Sequence, residues 1–352
     1  MTNPDKIVSE KEISFEDIAK CAQHFLAERP VVVLGSGATV PHGLPTMSEL
    51  SARLFEAITE NPPGWREFSA SIKKTNDLEK TMSTISLPEA TVELLVAATW
   101  KIISSKDLEF YEKLIKEHIE FPLANLFKYL LRTADSRIQV VTTNYDRLAE
   151  YAANYIGAYV STGITTGWLQ RFNPASVNAE QTPKLGYEGQ VSLFKVHGSL
   201  DWFRDVNENI IGVPLAKEVP NNMHPMVVTP GTLKYREVHK DPFRTVMSAS
   251  DSVLRKASCF VCIGYGFNDE HVQPILINRV KKDGIPIVLI TKQLSESTRS
   301  SFLQDPPKKF IFFEETKGGT MVYIPEKPEG INLKGASLWK LEDFMKLITG
   351  GE

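Results

Sequence analysis

The apolar residues of the chain follow two alternating patterns. Short runs rich in β-branched and aliphatic residues are typical of strands in a parallel sheet. The first of them, Val31–Leu34, has no polar face, as expected of a strand that is buried on both sides. These runs are Val31–Leu34, Ile138–Thr143, Val191–Val196, Met226–Gly231, Cys259–Ile263 and Ile285–Ile290. Between them, apolar residues return every three or four positions, as on the buried face of a helix. The pattern predicts an α/β fold in which helices flank a parallel sheet.

The helical pattern dominates one long part of the chain. The predicted helices are Ser14–Glu28, one from Met47, Trp65–Lys74, Pro88–Ser104, Leu108–Arg132, Arg147–Tyr155, Phe243–Ser258 and His271–Lys282. Almost no strand pattern occurs between residues 51 and 136, which predicts a helical insertion beside the sheet. Such an insertion is long enough either to cover a site or to supply an oligomer interface.

Three regions are expected along the chain. Residues 1–29 form an N-terminal helical segment, and residues 30–300 form the main domain with its insertion. Residues 301–352 add a strand from Phe310, a second strand at Met321–Ile324 and a closing helix after Ser337, packed on the same domain. Within the main domain, residues 159–189 are rich in Gly, Thr, Asn, Pro and Gln, which favours a long loop that could serve as a lid.

A glycine turn follows the first predicted strand. Gly35-Ser36-Gly37-Ala38-Thr39 comes directly after Leu34, and the next helix can be capped by Thr46 or Ser48. Strand, glycine turn and helix together can bind phosphate through backbone N–H groups. The turn is neither a GxGxxG fingerprint, since position 40 is Val, nor a Walker loop, since no Gly-Lys-Ser or Gly-Lys-Thr follows. A tight turn with close packing explains the glycines equally well.

Polar or small residues also end the other predicted strands. The positions are Thr39, Asn144, His197, Gly264, Gly266 and Thr291. In an open α/β sheet, ligands bind outside the carboxyl ends of the strands, near the point where the strand order reverses. We therefore expect these residues to converge on one ligand. Singly, each has an ordinary structural explanation, such as an Asx turn for Asn144, a helix cap for Asp146 and a turn for His197.

Composition narrows the classes of function. The net charge of −3 and the absence of a basic run give no direct sign of nucleic-acid binding. The charged N-terminus lacks the apolar core of a signal peptide, and no apolar stretch reaches 18 residues, so we expect a cytoplasmic protein without a membrane partner. Three cysteines, Cys21, Cys259 and Cys262, fit a reducing compartment.

The motifs, in this order, resemble the Sir2 superfamily, and more closely its SIR2-like branch in bacterial anti-phage defence. The sirtuin GAGxS motif is similar to Gly35–Thr39, and GIP is similar to Gly43-Leu44-Pro45. The motif around TQN and a following Asp resembles Thr142–Asp146, and the catalytic HG pair resembles His197-Gly198. Gly264-Tyr265-Gly266 is similar to the later GTS segment. The resemblance implies a Rossmann-like sheet that binds NAD.

The chain also departs from the deacetylase sirtuins. Thr46-Met47-Ser48 stands where those enzymes have Asp-Phe-Arg, and three cysteines cannot supply the two CxxC pairs of their zinc module. Cys259 and Cys262 fall in one strand, where residues three apart face opposite ways and cannot share a metal. We therefore expect no zinc and no other metal site. Asp269 and His271 are interpreted as a cap and a loop anchor rather than as metal ligands, and His42 is left without a role.

The resemblance assigns roles to the remaining residues. Asn144 would position the nicotinamide ribose or an attacking water, and His197 would act as general base toward a ribose hydroxyl or that water. Asp146 and the backbone of Tyr145 would hold the carboxamide of nicotinamide. The residues expected to bind the dinucleotide are Gly35, Ser36, Gly37, Thr39, Gly43, Leu44, Pro45, Thr46, Tyr145, Gly264, Gly266, Phe267 and Thr291.

The preferred hypothesis is an NAD+ glycohydrolase that yields nicotinamide and ADP-ribose and depletes NAD+ during phage infection. Control is expected in trans, through a homo-oligomer or a partner such as the HerA-type ATPase that accompanies relatives of this size. A protein deacylase or ADP-ribosyltransferase is the second hypothesis, which the missing zinc module disfavours. A regulatory subunit that binds NAD or ADP-ribose without turnover is the third.

Overall fold

The computed structural model describes residues 13–75, 81, 84–132, 135–167, 170–177, 184–228 and 240–351. Its helices are α1 (Phe15–Leu26), α2 (Met47–Ala57), α3 (Trp65–Thr75), α4 (Glu89–Lys116), α5 (Pro122–Leu131), α6 (Leu148–Tyr155), α7 (Phe243–Lys256), α8 (Val272–Lys282) and α9 (Leu341–Thr349). Short helical turns occur at Ser36–Ala38, Val40–His42, Pro174–Val177, Glu296–Thr298 and Arg299–Leu303. None of the helices in these ranges combines the length and hydrophobicity that crossing a membrane requires.

The strands form two sheets. They are β1 (Val31–Leu34), β2 (Arg137–Thr142), β3 (Tyr159–Ser161), β4 (Gln170–Arg171), β5 (Gln190–Lys195), β6 (Gly198–Asp205), β7 (Ile210–Gly212), β8 (Met223–Val227), β9 (Phe260–Ile263), β10 (Ile287–Ile290), β11 (Phe310–Thr316), β12 (Gly319–Ile324) and β13 (Lys327–Lys334). In the described ranges, the main sheet has nine strands in the order β13-β12-β11-β10-β9-β1-β2-β5-β3. From β11 to β3 every pairing is parallel, while β12 and β13 pair antiparallel at one edge. The predicted α/β fold with a parallel sheet is confirmed.

Successive residues of β1 belong to two different cores. Val32 and Leu34 pack with the helical insertion on one face of the sheet, whereas Val31 and Val33 pack with α7 and α8 on the other. All four side chains are buried. This double burial explains why the strand is apolar throughout instead of alternating with polar residues.

The strand order reverses between β1 and β9. From β1 the chain moves outward through β2 and β5, and it later returns to β9 on the other side of β1 and continues to β10 and β11. Connections leaving the two central strands therefore diverge, and a crevice opens at their carboxyl ends. The glycine turn follows β1 at this position.

One predicted strand belongs to the other sheet. The expected parallel strand Met226–Gly231 is β8, at Met223–Val227, and it pairs antiparallel with β6 in a four-stranded sheet ordered β4-β7-β6-β8. Residues 229–231 lie outside the described ranges. A short apolar run does not distinguish a parallel strand from an antiparallel edge strand, because both bury the same residues. The hairpin strands β6 and β7 and the polar strand β13 were not predicted.

Two other boundaries also differ from the prediction. The expected helices Pro88–Ser104 and Leu108–Arg132 are replaced by the continuous helix α4 and by α5, which starts at Pro122. Polar residues in the middle of α4 suggested a break, but Ser104 and Asp107 are buried against the domain. The expected loop at 159–189 contains β3, β4 and a helical turn, and its residues 168–169 and 178–183 lie outside the described ranges. Strands of two or three residues give too short a pattern to recognise.

Candidate functional site

A cavity of about 490 Å³ lies at the carboxyl ends of β1, β2, β9 and β10. Its lining residues are Gly35, Ser36, Gly37, Thr39, Leu44, Pro45, Thr46, Met47, Leu50, Ile103, Thr143, Asn144, Tyr145, Asp146, His197, Gly264, Tyr265, Gly266, Asn268, Asp269, Thr291, Lys292 and Gln293. All the predicted site residues except Gly43 and Phe267 line it. The strand ends that the sequence singled out therefore meet at one place.

Gly43 and Phe267 have structural positions instead. Gly43 ends a helical turn with a φ of +91°, which a glycine adopts without strain. The side chain of Phe267 is fully buried and packs edge-on against Tyr265 and Phe302. Phe267 therefore anchors the loop after β9 and does not contact the cavity.

The glycines of the turn after β1 are required by packing. A Cβ atom on Gly35 would lie 2.4 Å from the carbonyl oxygen of Gly264, and one on Gly37 would lie 2.7 Å from its Cα. Gly264 itself has a φ of +55°, and its Cβ would lie 2.2 Å from the backbone of Gly37. The loops after β1 and β9 thus touch backbone to backbone at the point where the strand order reverses.

Most N–H groups of this turn are already hydrogen-bonded within the fold. Gly35 donates to Ile263, Gly37 to Gly264, Ala38 to Gly35 and Thr39 to Ser36. Within the described ranges, the N–H of Ser36 has no such acceptor, and Ser36 is exposed to the cavity. Of the N–H groups in this turn, that of Ser36 is therefore the one available to a ligand. The sequence had predicted that the whole turn would be available.

The helix after the glycine turn starts at the cavity. Thr46 accepts a hydrogen bond from the N–H of Glu49, and the Glu49 carboxylate accepts one from the N–H of Thr46 in return. This capping box decides between the two predicted caps, Thr46 and Ser48, in favour of Thr46. Two residues of α2, Met47 and Leu50, form part of the cavity wall.

Asn144 is held by the glycine turn. Its Nδ2 donates a 2.9 Å hydrogen bond to the carbonyl oxygen of Gly35, and its own N–H donates to Oγ1 of Thr142. Since a carbonyl group can only accept, the amide nitrogen of Asn144 must face Gly35. The carbonyl oxygen Oδ1 is then the part of the side chain that can accept a hydrogen bond from a ligand or a water.

Asp146 is a buried carboxyl group at the start of α6. Its Oδ1 accepts the N–H of Leu148, the first residue of α6, whereas the residue at the cap position itself is Arg147. Burial raises the pKa of Asp146 to about 7, against the opposing effect of the nearby Lys195 ammonium. The fully buried Lys195 donates to the backbone carbonyl of Asp146 and, at 2.7 Å, to Oε1 of Glu150. Asp146 can thus exchange a proton near neutral pH while its backbone is held in place.

The helical insertion contacts the start of α6 through Asp107 of α4. Oδ2 of Asp107 lies 2.6 Å from Nη1 of Arg147, and Oδ1 accepts the N–H of Arg147 at 2.7 Å. The other contacts of the group are a 2.6 Å hydrogen bond from Tyr151 to Asp107 and a 2.6 Å ion pair between Arg147 and Asp201. Arg147 directly follows Asp146, and Ile103, one turn before Asp107, lines the cavity. The insertion therefore forms one wall of the cavity.

His197 follows β5 and faces the loop after β9. Its Nε2 lies 2.9 Å from Oδ2 of Asp269, and the two side chains are 12% and 7% exposed. Asp269 also caps α8, since its Oδ1 accepts the N–H groups of His271 at 2.9 Å and Val272 at 2.8 Å. The predicted cap is confirmed, but the contact with His197 was not predicted, because nothing in the sequence relates two residues so far apart.

Three further residues complete the cavity after β10. Thr291, Lys292 and Gln293 line it at the end opposite Asn144, with the glycine turn between them. Lys292 lies 4.0 Å from Glu315 and is largely exposed, so its ammonium group is available to a ligand. The lining residues that sequence reasoning missed are Met47, Leu50, Ile103, Thr143, Tyr265, Asn268, Asp269, Lys292 and Gln293. Position next to a predicted residue is the one signal that could have identified most of them.

The cysteine pair and His42 do not line the cavity. Cys259 and Cys262 are buried in the cores on opposite faces of the sheet, as predicted, and burial raises the pKa of both thiols. Among the described residues, no group of three or more His, Cys, Asp or Glu side chains could hold a metal ion. Because the chain has three cysteines, it cannot form a four-cysteine zinc module. His42 packs against Phe110 and Phe121, and burial lowers its pKa to about 4.

A larger groove of about 970 Å³ lies between the first turns of α4 and strand β8. Its walls include Leu94, Val96, Met223 and Met226, and none of the predicted site residues lines it. The smaller cavity is therefore the candidate site, since it alone of the two collects the strand ends at the reversal of strand order.

Comparison with known proteins gives a family match for part of the chain. Residues 138–306, a little under half of the chain, match the SIR2-like domain. No curated protein sequence matches at a significant level.

The chain is also similar to solved Sir2 structures. A Sir2 enzyme from a study of mechanism and regulation is 15% identical, with 96% of this chain and 100% of that chain covered and a TM-score of 0.47. A mutant Sir2 homologue in complex with ADP-ribose is 14% identical, with 94% of this chain and 96% of that chain covered and a TM-score of 0.48. Sir2Tm bound to a propionylated peptide is 12% identical, with 95% of this chain and 99% of that chain covered and a TM-score of 0.46. Likeness at this distance does not bear on activity. The range that matches the SIR2-like domain contains Asn144, Asp146, His197, Gly264 and Thr291.

Proposed function

We propose that this protein is an NAD+ glycohydrolase, which cleaves NAD+ to nicotinamide and ADP-ribose. One observation carries the proposal: a single cavity collects the glycine turn, the amide of Asn144 and the imidazole of His197. At about 490 Å³, the cavity has the size of a small-molecule site. The match of residues 138–306 to a SIR2-like domain supports a role for NAD.

The strand order suggests how the dinucleotide would lie. The glycine turn follows β1 in the middle, Thr291 follows β10 on one side, and Asn144 follows β2 on the other. A pyrophosphate bound at Ser36 would place one nucleoside near Thr291 and Lys292 and the other near Asn144 and His197. The second half of the cavity holds the groups suited to bond cleavage, so the nicotinamide ribose is assigned there.

The chemistry needs little acid catalysis. Nicotinamide in NAD+ is a pyridinium leaving group that departs with the bonding electron pair, so the pair of carboxyl groups of ordinary glycosidases is not required. The site must instead hold the ribose, stabilise an oxocarbenium-like transition state and orient a water. Oδ1 of Asn144 can accept a hydrogen bond from that water, and the imidazole of His197 can remove a proton from it or from a ribose hydroxyl.

Asp146 is suited to hold the leaving group. With its pKa raised to about 7, a protonated Asp146 can donate a hydrogen bond to the carbonyl oxygen of the carboxamide, and an ionised one can accept from the amide nitrogen. The backbone of Tyr145 is fixed beside it, because the Tyr145 hydroxyl donates a 2.7 Å hydrogen bond to the carbonyl oxygen of Val228.

The test is direct. Purified protein, alone and with the products of the neighbouring genes, is incubated with NAD+, and nicotinamide and ADP-ribose are quantified by chromatography. The expected result is equal release of both products, reduced about 10²-fold or more in Asn144→Ala and His197→Ala. Asp205→Asn is the control with unchanged activity, since Asp205 accepts turn hydrogen bonds at the end of β6 and does not line the cavity.

The same experiment separates the other two hypotheses. Transfer of an acetyl group from a peptide only when NAD+ is present would identify a deacylase. Binding of NAD+ without cleavage in every preparation would identify a regulatory subunit. Cleavage at the wild-type rate in both the Asn144 and the His197 variants would disprove the assignment of catalysis to this cavity.

The biological role is proposed from the resemblance to the defence branch of the superfamily. An unregulated enzyme of this kind would deplete the NAD+ of its own cell, so the activity requires a trigger. We propose that the protein acts in the cytoplasm as an antiviral effector, controlled by assembly into an oligomer or by a HerA-type ATPase. Cellular NAD+ that stays constant during phage infection of cells expressing the protein and its gene neighbours would contradict this role.

A further inference from the structure

We propose that Asp269 is a positioning residue that orients the imidazole of His197 and fixes its tautomer, a role that rests on the proposed function. It was expected to act as a helix cap alone. The carboxylate does both: one oxygen caps α8 and the other faces the ring.

The contact joins the ends of two strands. His197 follows β5, Asp269 follows β9, and Oδ2 of Asp269 lies 2.9 Å from Nε2 of His197. Both side chains are nearly buried, at 12% and 7% exposure. Nε2 itself is fully buried, and no described residue offers it a well-aligned hydrogen bond. Because a buried polar atom needs a partner, Asp269 is the group placed to supply it.

The hydrogen bond between His197 and Asp269 is not fully aligned in this structure. The two atoms are at ion-pair distance, but the ring N–H does not point directly at the carboxylate oxygen. Hydrogen bonds in catalytic sites often align only when the substrate is bound. A small rotation of the imidazole would complete the bond without moving the backbone.

The carboxylate is held more firmly than the ring. Oδ1 of Asp269 accepts two N–H groups at the start of α8. The preceding loop is fixed by the buried ring of Phe267 and by the hydroxyl of Ser295, which donates to the carbonyl oxygen of Gly266. The imidazole is therefore positioned against a fixed group, which is what an orienting residue requires.

This arrangement decides which ring nitrogen can act as a base. A carboxylate is only an acceptor, so the nitrogen that faces it carries the proton, and Nδ1 keeps its lone pair. Since His197 lines the cavity, Nδ1 is the nitrogen left for a ligand. The other charged or titratable side chains that line the cavity are those of Tyr145, Asp146, Tyr265 and Lys292. His271 lies two residues after Asp269 in the loop.

Asp269→Asn separates positioning from capping. The Asn amide oxygen still accepts the N–H groups of α8, so the amide nitrogen faces the ring. Because that nitrogen can only donate, it favours a bare Nε2 and reverses the tautomer that the carboxylate selects. Asp17→Asn, which changes the exposed capping box of α1, is the matched control. Asp269→Ser is a second variant that keeps a capping oxygen in case the first folds poorly.

Two measurements are made on the full-length protein. The ¹⁵N shifts of the His197 ring, assigned with His197→Gln, are expected to show a protonated Nε2 and a bare Nδ1 in the wild type. Asp269→Asn is expected to shift the ring proton to Nδ1. In NAD+ cleavage, kcat is expected to fall about 10²-fold while KM changes less than about threefold.

The outcomes are distinguishable. A wild-type ring with the proton on Nδ1, or a tautomer unchanged in both Asp269 variants, would overturn the proposal whether or not NAD+ is cleaved. Wild-type kcat in Asp269→Asn would also overturn it. If the tautomer changes as expected but no preparation cleaves NAD+, the proposed function fails while the orienting contact stands.

Discussion

Ser36 is the residue through which the glycine turn can reach a phosphate. The other N–H groups of the turn donate within the fold, so the site for an anion is narrower than the motif alone suggests. The glycines are present because the loops after β1 and β9 touch, and a bound dinucleotide is not needed to explain them.

Removing the Ser36 N–H tests this point. Ser36→Pro is expected to weaken ADP-ribose binding about 10-fold, because a hydrogen bond to a charged group contributes ~1.5–3 kcal/mol. Proline fits here because position 36 opens a helical turn and Gly35 is extended before it. Ser36→Ala is the control that removes the hydroxyl but keeps the N–H. Calorimetric titration with ADP-ribose measures both, and equal affinity in Ser36→Pro and Ser36→Ala would show that the N–H is not used.

Asp146 makes stability depend on pH. Its pKa is raised from 3.8 to about 7 in the folded protein, so folding favours the protonated form. The stabilisation is complete below the unfolded pKa and is lost as the pH rises toward 7, at up to ~1.4 kcal/mol per pH unit.

Asp146→Asn removes this dependence and keeps an oxygen that can accept the N–H of Leu148. The variant is expected to be stabilised relative to wild type at pH 8 by more than at pH 5. Urea unfolding at the two pH values measures the difference. A difference between variant and wild type that is the same at both values would contradict the raised pKa.

The long helix α4 is the element that connects the insertion to the site. Asp107 contacts the side chain and the N–H of Arg147, and Ile103 lines the cavity. Of the two roles that the sequence left open for the insertion, covering the site is the one that these contacts support. An oligomer interface elsewhere on the insertion stays a prediction.

Breaking the ion pair between α4 and Arg147 should be costly. Asp107→Ala leaves a buried guanidinium with one remaining partner, Asp201, and is expected to lower the free energy of unfolding by ~3–5 kcal/mol. Glu109→Ala, on the same helix in an exposed pair with Lys106, is expected to cost less than ~1 kcal/mol. Chemical denaturation compares the two. Equally small losses of unfolding free energy in the two variants would show that Asp107 does not stabilise the start of α6.

The elements also show how far the sequence could be interpreted. Strands β1, β9 and β10 were recognised because burial on both faces makes them apolar throughout, and β2 and β5 were recognised from their central apolar residues. The common direction of the five strands brings their ends together. Strand β8 was misassigned because its apolar run does not reveal the direction of its neighbour. The break expected within α4 was wrong because Asp107 is polar yet buried, and its partner Arg147 is distant in sequence.

Within the site, contacts between residues that are distant in sequence could not be predicted. Asn144, Asp146 and His197 could be expected to line one cavity because each follows a recognisable strand. The contact between Asp269 and His197 could not be found, because it depends on where the loop after β9 turns. Phe267, which was expected at the ligand, has a positive φ of +53° and a side chain that is buried in the core.

At the scale of the whole molecule, the reversal of strand order between β1 and β9 creates the crevice. The sheet is packed between two hydrophobic cores, one on each face, and the helical insertion forms one wall of the cavity at the strand ends. The arrangement accounts for a site assembled from residues 35 to 293 with no single continuous motif.

The most direct measurement is a crystal structure of His197→Ala with NAD+, since this variant is expected to bind the dinucleotide without cleaving it. The account predicts electron density in the cavity, with the pyrophosphate at Ser36, the adenosine beside Thr291 and the nicotinamide ribose next to Asn144. An empty cavity at saturating NAD+, or NAD+ bound instead in the groove between α4 and β8, would contradict it.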